Sequence, residues 1–406
     1  MKIKKCRNCQ SKNIKKVFSL GNIFYTGKFT KINVQPRKGP ISVVICESCT
    51  LVQLENNFDL NYMYGKDYGY RTGINKTMTL HVKKIVKMLS VKTKIKKHDL
   101  ALDIASNDGT LLNFYKNEIT TFGIDPVIKK YVKNYKKINY KVSDFFSAEK
   151  VKKTIKKKFK IITALSVFYD LQNPNKFLKD VESILEDQGI LVIEFADLAS
   201  IIKFNVFDTF CHEHSEYYSA KVIFEMCKKN GLRIFDVKIN DINGGSLQFL
   251  ISKTRSKYKT NNNSLKKIFK REIKLKLDKK QTFFKFINRV NKIKFKLNAF
   301  IKKAIKEKKT IHGYGASTKG NVLLQYFGLT NKEITYIAER NPNKYNLYTP
   351  GSKIKIISEA LSRRMKPDYY LVLPWHFKKE ILLREKKILL KKTKFIFPLP
   401  NTKVIG

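Results

Sequence analysis

The sequence predicts an α/β protein: a doubly wound parallel sheet in the middle of the chain, a four-cysteine metal subdomain before it, and a second strand–turn–helix unit after it. Three observations carry this. Apolar strand-like runs alternate with helical patterns between residues 99 and 196, as a parallel sheet with crossover helices requires. Two Cys-x-x-Cys pairs stand near the N-terminus. The segment "TIHGYGASTKGNVLL", from Thr310, repeats the strand, glycine turn and helix start of the central unit. A chain of 406 residues holds two or three such units. The divisions fall at 1–62, 63–254, 255–310 and 311–406.

Composition narrows the class. Hydrophobic residues at 43% exclude a disordered chain. No run of about 18 apolar residues and no N-terminal apolar segment occur, so no membrane insertion and a cytoplasmic location are expected. Lys+Arg 83 against Asp+Glu 33 gives a net charge of +50. The excess is mainly lysine and runs along the whole chain. Arginine, not lysine, is the usual fork for phosphates and bases. With abundant Ile, Asn, Phe and Tyr, the mixture fits A- and T-rich codon usage, and no nucleic-acid partner is expected. The basic field still favours an anionic substrate such as a nucleotide diphosphate.

Each element follows in order. Cys6-x-x-Cys9 and Cys46-x-x-Cys49 offer four thiolates to one tetrahedral ion. All four positions are then cysteine, so the zinc is structural and keeps no place for water or substrate. The segment "YMYGKDYGYRTG" supplies Tyr62, Tyr64, Tyr68 and Tyr70. "DLALDIASNDGTLLNFYK" reads as a strand, a small-residue turn and a helix start. Its turn has one late glycine, Gly109, and no GxGxxG, which argues against a dinucleotide. Asp125 closes the second strand and suits two ribose hydroxyls. Asp144 and Phe145 follow the third, placed to bond and stack an adenine. With Asp103, Ala105, Ser106, Asn107 and Asp108 around the first turn, and Ser166 after the fourth strand, the layout suits S-adenosylmethionine. A helix patterned by Phe177, Val181, Ile184 and Leu185 leads to a fifth strand, "QGILVIEFADL".

"LDIASNDGTLL", "FGIDP", "VFYDLQNP", "DTFCHEHSEYY" and "NDINGGSLQF", in this order, resemble the nucleotide-sugar C-methyltransferases. The N-terminal cysteines resemble that family's zinc domain. "IHGYGASTKGNVLLQYFGL", "AERNPNKYNLYTPGSKIKI" and "PDYYLVLPWHFKKEI" resemble its C-terminal domain. The resemblance implies a class I S-adenosylmethionine methyltransferase domain of Rossmann-like fold and a second Rossmann-like domain after it. It implies methylation of a ring carbon of a nucleotide-diphosphate keto-deoxysugar, with His214 as base, Glu213 beside it, and tyrosines lining the site, Tyr68 and Tyr70 ahead of Tyr64. The chemistry is consistent: a base takes the proton next to a ketone, and polar donors hold the enolate. The chain departs from the family at Ala105 and Glu339, where glycine and aspartate are usual, at Cys211, where some members carry tyrosine, and at Lys353.

Other readings of "FDTFCHEHSEYY" remain beside this one. His212-x-His214 on a strand would put both rings on one face, as a metal pair needs, but no third ligand is evident and Glu216 stands where HExxH needs histidine. His212 reads as a core residue. Cys211 is a candidate substrate contact. Asn243 and Gly244, in a turn feeding a strand, allow close approach to a ligand. Residues 255–310 read as connecting helices with Leu265, Ile268, Phe269, Phe283, Ile287 and Phe300 inward. In the last unit, Gly313, Gly315, Ser317 and Lys319 form an anion-favouring turn and helix start, and Glu339 and Arg340 close the next strand, so the nucleotide is expected there. Sugar O-methylation, nucleic-acid methylation and a non-catalytic sugar-nucleotide binder are the alternative functions.

Overall fold

The computed structural model describes residues 1–406 except 35, 66–67 and 387–391. Among the described residues the strands gather into three sheets. The N-terminal sheet is antiparallel: β1 (Ile14–Phe24), β2 (Lys38–Cys46) and β3 (Val52–Leu54). The central sheet takes β4 (Leu100–Ile104), β5 (Thr120–Ile124), β6 (Tyr140–Val142), β7 (Phe159–Leu165) and β8 (Leu185–Ala196). A two-residue strand, β9 (Glu216–Tyr217), leaves this unit and pairs with β3, Val52 opposite Tyr217. β10 (Leu232–Asn240) and β11 (Ser246–Lys253) form a hairpin that completes the central sheet in the order β10-β11-β8-β7-β4-β5-β6.

The central sheet is parallel from β8 to β6, and β11 runs against β8. Every residue of β4 and the last eight of β8 are buried. These near-continuous apolar runs suit strands covered on both faces. The chain winds one way from β4 through β5 to β6 and the other way from β7 to β8. A crevice therefore opens between the carboxyl ends of β4 and β7. The helix Pro174–Ile184 covers one face: Asn173 caps it by accepting from the Lys176 N–H, Pro174 starts it, and Phe177, Leu178, Val181 and Ile184 turn inward. Each such side chain, fully buried, stabilises by about 1.5–3 kcal/mol.

Two local expectations are corrected. The segment after β4 is a 3₁₀ turn, Leu112–Phe114, not a helix, because the adjacent Leu111 and Leu112 are both drawn into the core with Val127 and Tyr135 and the chain leaves extended at Tyr115. His212 and His214 lie in a turn, not on a strand, and do not share a face.

The third sheet has the same winding on a smaller scale. β12 (Ile311–Tyr314), β13 (Tyr336–Glu339), β14 (Lys355–Ser358), β15 (Tyr369–Val372) and β16 (Lys394–Phe397) are parallel, and β17 (Lys403–Ile405) is antiparallel at the edge. Its order, β14-β13-β12-β15-β16-β17, puts a second crevice between β12 and β15. The long helix Lys280–Lys306 buries Phe283, Phe286, Val290, Ile293, Leu297, Ile301 and Ala304 at three- and four-residue spacing. These join one apolar core with β1, β2 and the third sheet. That shared core brings the two crevices face to face.

Candidate active site

One cavity of about 460 Å³ is lined by residues of the central and third sheets and their loops, with Gly27 and Phe29 from the loop between β1 and β2, within the range of small-molecule sites. Its floor on one side is the turn after β4. Ala105 and Asn107 there adopt left-handed backbone, φ +58° and +50°. Asp125, at the end of β5, accepts the Asn107 N–H at 2.9 Å and the Val127 N–H at 2.8 Å. Each carboxylate oxygen keeps a lone pair for a ribose hydroxyl. Asp103 accepts the Thr163 hydroxyl at 2.6 Å, and burial pushes it up to about 7. Ser106, Phe145 and Ser166 complete this lining, and Arg71 brings a cation to it. The donor set fits S-adenosylmethionine: an acid for the ribose, an aromatic face for adenine, a cation for the carboxylate.

The turn 211–215 enters from above. His214 Nδ1 lies 2.8 Å from the Thr209 carbonyl, which only an N–H can satisfy. Nε2 is therefore the bare, accepting nitrogen. The ring rests on Tyr169, centroids 4.2 Å apart. Burial, then the charge of Lys319, pushes His214 down to about 3. Glu213 is raised by burial and accepts from Thr26 at 3.4 Å. A Cβ on Gly27 would lie 2.5 Å from its Oε1, so this contact needs glycine. Tyr64 donates to Asp170 at 2.6 Å and packs edge-on against Tyr68. Burial holds both phenols well above their usual range, so both remain donors. Tyr70 lines the mouth and is 45% exposed.

The opposite wall belongs to the third sheet. Glu339 repeats the role of Asp125, accepting the Ala316 N–H at 2.7 Å and the Asn341 N–H at 2.8 Å. Gly315, at φ +82°, sits where a Cβ would lie 2.7 Å from Pro374, so the turns after β12 and β15 close together only around glycine. Ser317 caps the helix Thr318–Phe327. Lys319 Nζ donates to the Asn243 carbonyl at 2.7 Å, and Lys344 Nζ to the Ala316 carbonyl at 2.7 Å. Burial lowers both lysines. Arg340 also lines this wall.

Six anticipated site residues do not line the cavity. Asp108 turns away to accept the Gly73 N–H and the Thr110 hydroxyl, which ties the tyrosine-rich segment down. Gly109 packs on Tyr135, and Gly313 on Ile337. Asp144 is drawn off by Lys150 at 2.6 Å, whose hydrogen bond lowers its carboxyl. Cys211 is fully buried in the core, and its thiol is pushed well up. Gly244, at φ +90°, meets Trp375, not a ligand. His212 stacks on Tyr25 at 4.2 Å, bonds the Gly39 carbonyl and falls to about 4 through burial. Asp170, Lys344, Arg71 and His376 line the cavity without having been singled out. All four lie inside the quoted segments, but nothing in their residue types marks them.

The metal cluster is complete. The four sulfurs of Cys6, Cys9, Cys46 and Cys49 all lie within 4.8 Å of one another, with Cys6 to Cys49 at 3.6 Å and Cys9 to Cys46 at 3.5 Å. Tetrahedral zinc–thiolate geometry asks for about 3.8 Å. Hydrogen bonding from Cys49 pulls Cys6 down to about 5, and Gln53 adds an N–H at 3.2 Å. The donor set fits structural zinc.

Family models match in the same order as the sheets. A zinc binding domain matches residues 6–64, a methyltransferase domain 74–237, and a C-methyltransferase C-terminal domain 241–400. The C-methyltransferase NovU of Streptomyces niveus is 26% identical over 372 residues, covering 90% of this chain and 88% of that protein. Among solved structures, an S-adenosylmethionine-dependent methyltransferase from Clostridium acetobutylicum covers 43% of this chain and 91% of its own, at TM-score 0.36 and 13% identity. The magnesium protoporphyrin IX methyltransferase of Synechocystis with S-adenosylmethionine bound covers 46% and 88%, at TM-score 0.35 and 13% identity. With the cysteine cluster, the cofactor crevice and the second α/β unit in place, the chain is similar over nearly its whole length to the zinc-containing, S-adenosylmethionine-dependent C-methyltransferases.

Proposed function

We propose that the protein methylates a ring carbon of a nucleotide-diphosphate keto-deoxysugar, with His214 taking the proton next to the ketone. The observation that carries this is the single cavity joining two crevices of like construction, with the bare Nε2 of His214 between them. One crevice fits the methyl donor. The other suits a second, extended nucleotide-like ligand: Glu339 resembles Asp125 in its bonding, and Lys319 and Lys344 stand ready for a diphosphate. S-adenosylmethionine, when bound, supplies an electrophilic methyl group. The protein's own residues must open the acceptor carbon to it. His214 is neutral at any physiological pH, so it accepts a proton without first losing one. A base so low in pKa is weak, and its task is possible only where the developing oxyanion is held by donors. Tyr68 faces this cavity with a protonated hydroxyl.

The test is incubation with methyl-labelled S-adenosylmethionine and a panel of dTDP-, GDP- and CDP-linked 4-keto-deoxysugars, with the label located by NMR. Label on a ring carbon supports the reading. Label on oxygen replaces it with O-methylation. No label on any ketosugar, with the cofactor bound, removes it.

A further inference from the structure

We propose that Asp170 is a second catalytic residue, whose carboxyl O–H donates a hydrogen bond to the acceptor's ketone oxygen as that oxygen becomes an enolate. The proposal rests on the reading of the acceptor as a ketone. Asp170 ends the 3₁₀ turn Phe168–Asp170 that follows β7, lines the same cavity as His214, and is only 7% exposed. Its two oxygens differ. Oδ2 accepts the Tyr64 hydroxyl at 2.6 Å, while Oδ1 has no partner among the described residues.

A buried carboxylate with one bare oxygen is costly, because that oxygen forfeits its water without replacement. A carboxylic acid with its proton on Oδ1 avoids that charge and becomes a donor wanting an acceptor. Oδ1 is itself sealed off in this structure, so the carboxyl turns about its Cβ–Cγ bond to meet an acceptor that arrives in the cavity. The surroundings favour the acid. Burial first, then the neighbouring carboxyls Glu213 and Glu216, hold Asp170 well above the usual carboxylate range, against a smaller opposing pull from the Tyr64 hydrogen bond. The other titratable groups around it are phenols and a thiol: Tyr68 and Tyr169 on the cavity side, Tyr217, Tyr218 and Cys211 behind. A carboxyl kept neutral in an apolar site is a recognised oxyanion donor, paired with a tyrosine. Tyr64, by giving its hydroxyl to Oδ2, fixes which oxygen carries the proton and acts through Asp170.

The step balances within the acceptor and two side chains. The α C–H bond breaks, its proton forms the Nε2–H of His214, and its electron pair moves through the new C=C bond onto the ketone oxygen. Asp170 keeps its proton and shares it with that oxygen. The imidazolium formed is paired with an enolate, which offsets the weakness of the base.

Enolisation is read alone by following loss of the α-proton into D₂O from a dTDP-linked 4-keto-deoxysugar, with S-adenosylhomocysteine in place of the methyl donor. Wild type should exchange, with a rate that falls as pH rises through the titration of Asp170. Asp170→Leu should slow exchange by about 10²–10³-fold. Asp170→Asn, which keeps an N–H donor, should lose less and should lack the high-pH fall. Both variants exchanging within about threefold of wild type would overturn the proposal. A second measurement needs no variant activity: carboxyl-labelled aspartate NMR on the zinc-loaded protein, with Asp170 assigned from Asp170→Asn. A carboxyl still protonated at pH 7 supports the donor, and one ionised at pH 6 overturns it. Failure of the acceptor reading looks different: wild type itself then exchanges no α-proton from any ketosugar.

Discussion

Replacing Arg7 by methionine should uncouple the zinc unit from the catalytic turn. Arg7 lies inside the first cysteine knuckle and is 5% exposed. Its guanidinium donates to the carbonyls of Leu54 at 2.8 Å and Asn56 at 3.0 Å, and to Gln53 and Asn57 side chains at 3.2 and 2.6 Å. It also stands 3.5 Å from Glu216, which is fully buried and whose two oxygens have no hydrogen-bond partner among the described residues. Methionine fills the space but leaves the carbonyls bare and removes the cation paired with Glu216. Breaking a buried pair costs about 3–5 kcal/mol when the remaining charge stays. If Glu216 takes up a proton instead, the cost shrinks to that of the orphaned carbonyls, about 1–3 kcal/mol. Burial already holds Glu216 well above the usual carboxylate range, against the pull of Arg7, and losing Arg7 raises it further, so the charge cost fades as pH falls: we expect about 4 kcal/mol at pH 7.5 and less at pH 5.5. At a urea slope near 2 kcal/mol per M, that moves the midpoint by about 2 M. Circular dichroism during urea titration, with zinc release followed by a chelating dye, reads both effects. Arg7→Met with Glu216→Gln should recover about half of the loss. A midpoint within 0.5 M (~1 kcal/mol) of wild type, or a double variant no more stable than the single, would refute the reasoning.

Further outcomes follow from the same geometry. His214→Ala should keep secondary structure and S-adenosylmethionine affinity while turnover drops by about 10²–10⁴-fold. Since the pKa of His214 is lowered, its base form persists as pH falls until about 3. Nitrogen-labelled histidine NMR should therefore show no protonation of His214 between pH 8 and 5, and a step near 6.5 would contradict the burial argument. Ala105→Gly should raise stability by about 1 kcal/mol, read as a higher Tm, because φ +58° strains a Cβ-bearing residue. Lys344→Ala should raise KM for a diphosphate-linked acceptor about tenfold and weaken the salt dependence of kcat/KM. It should leave the S-adenosylmethionine Kd unchanged, and an equal loss of both affinities would place Lys344 elsewhere in the mechanism.

Much of this was legible in the residues, and the remainder has identifiable physical causes. β4, β7 and β8 announce themselves because strands covered on both faces need unbroken apolar runs. The four cysteines announce themselves because thiolates at knuckle spacing have few other uses. β9 could not be read: two residues become a strand only because β3 lies alongside. The expected helix after Gly109 gives way to a 3₁₀ turn because Leu111 and Leu112 are both drawn into the core, which a local pattern does not reveal. Lys344 is one cation in a lysine-rich sequence, and only its place in the cavity wall distinguishes it. Asp170 is an ordinary aspartate until Tyr64 claims one of its oxygens. Asp144 and Cys211 were misplaced for the converse reason, since Lys150 and the core claim them.

The pairing of β3 with β9 bears on how such a protein can be rearranged. A strand two residues long, borrowed from a distant part of the chain, closes the free edge of the cysteine-bearing sheet. Cut off near residue 62, that sheet would expose unpaired N–H and C=O groups along β3, a template for sticking to other chains. The zinc unit is thus not a detachable module. A hybrid that takes its N-terminal unit from one relative and its catalytic turn from another must match two sets of backbone hydrogen bonds and the Arg7–Glu216 contact together. By contrast, the third sheet brings its own crevice and, among the described residues, meets the rest of the chain through one isolated backbone bridge, Thr30 with Tyr348, and through side chains. Exchange of acceptor specificity should be far easier at that end of the chain.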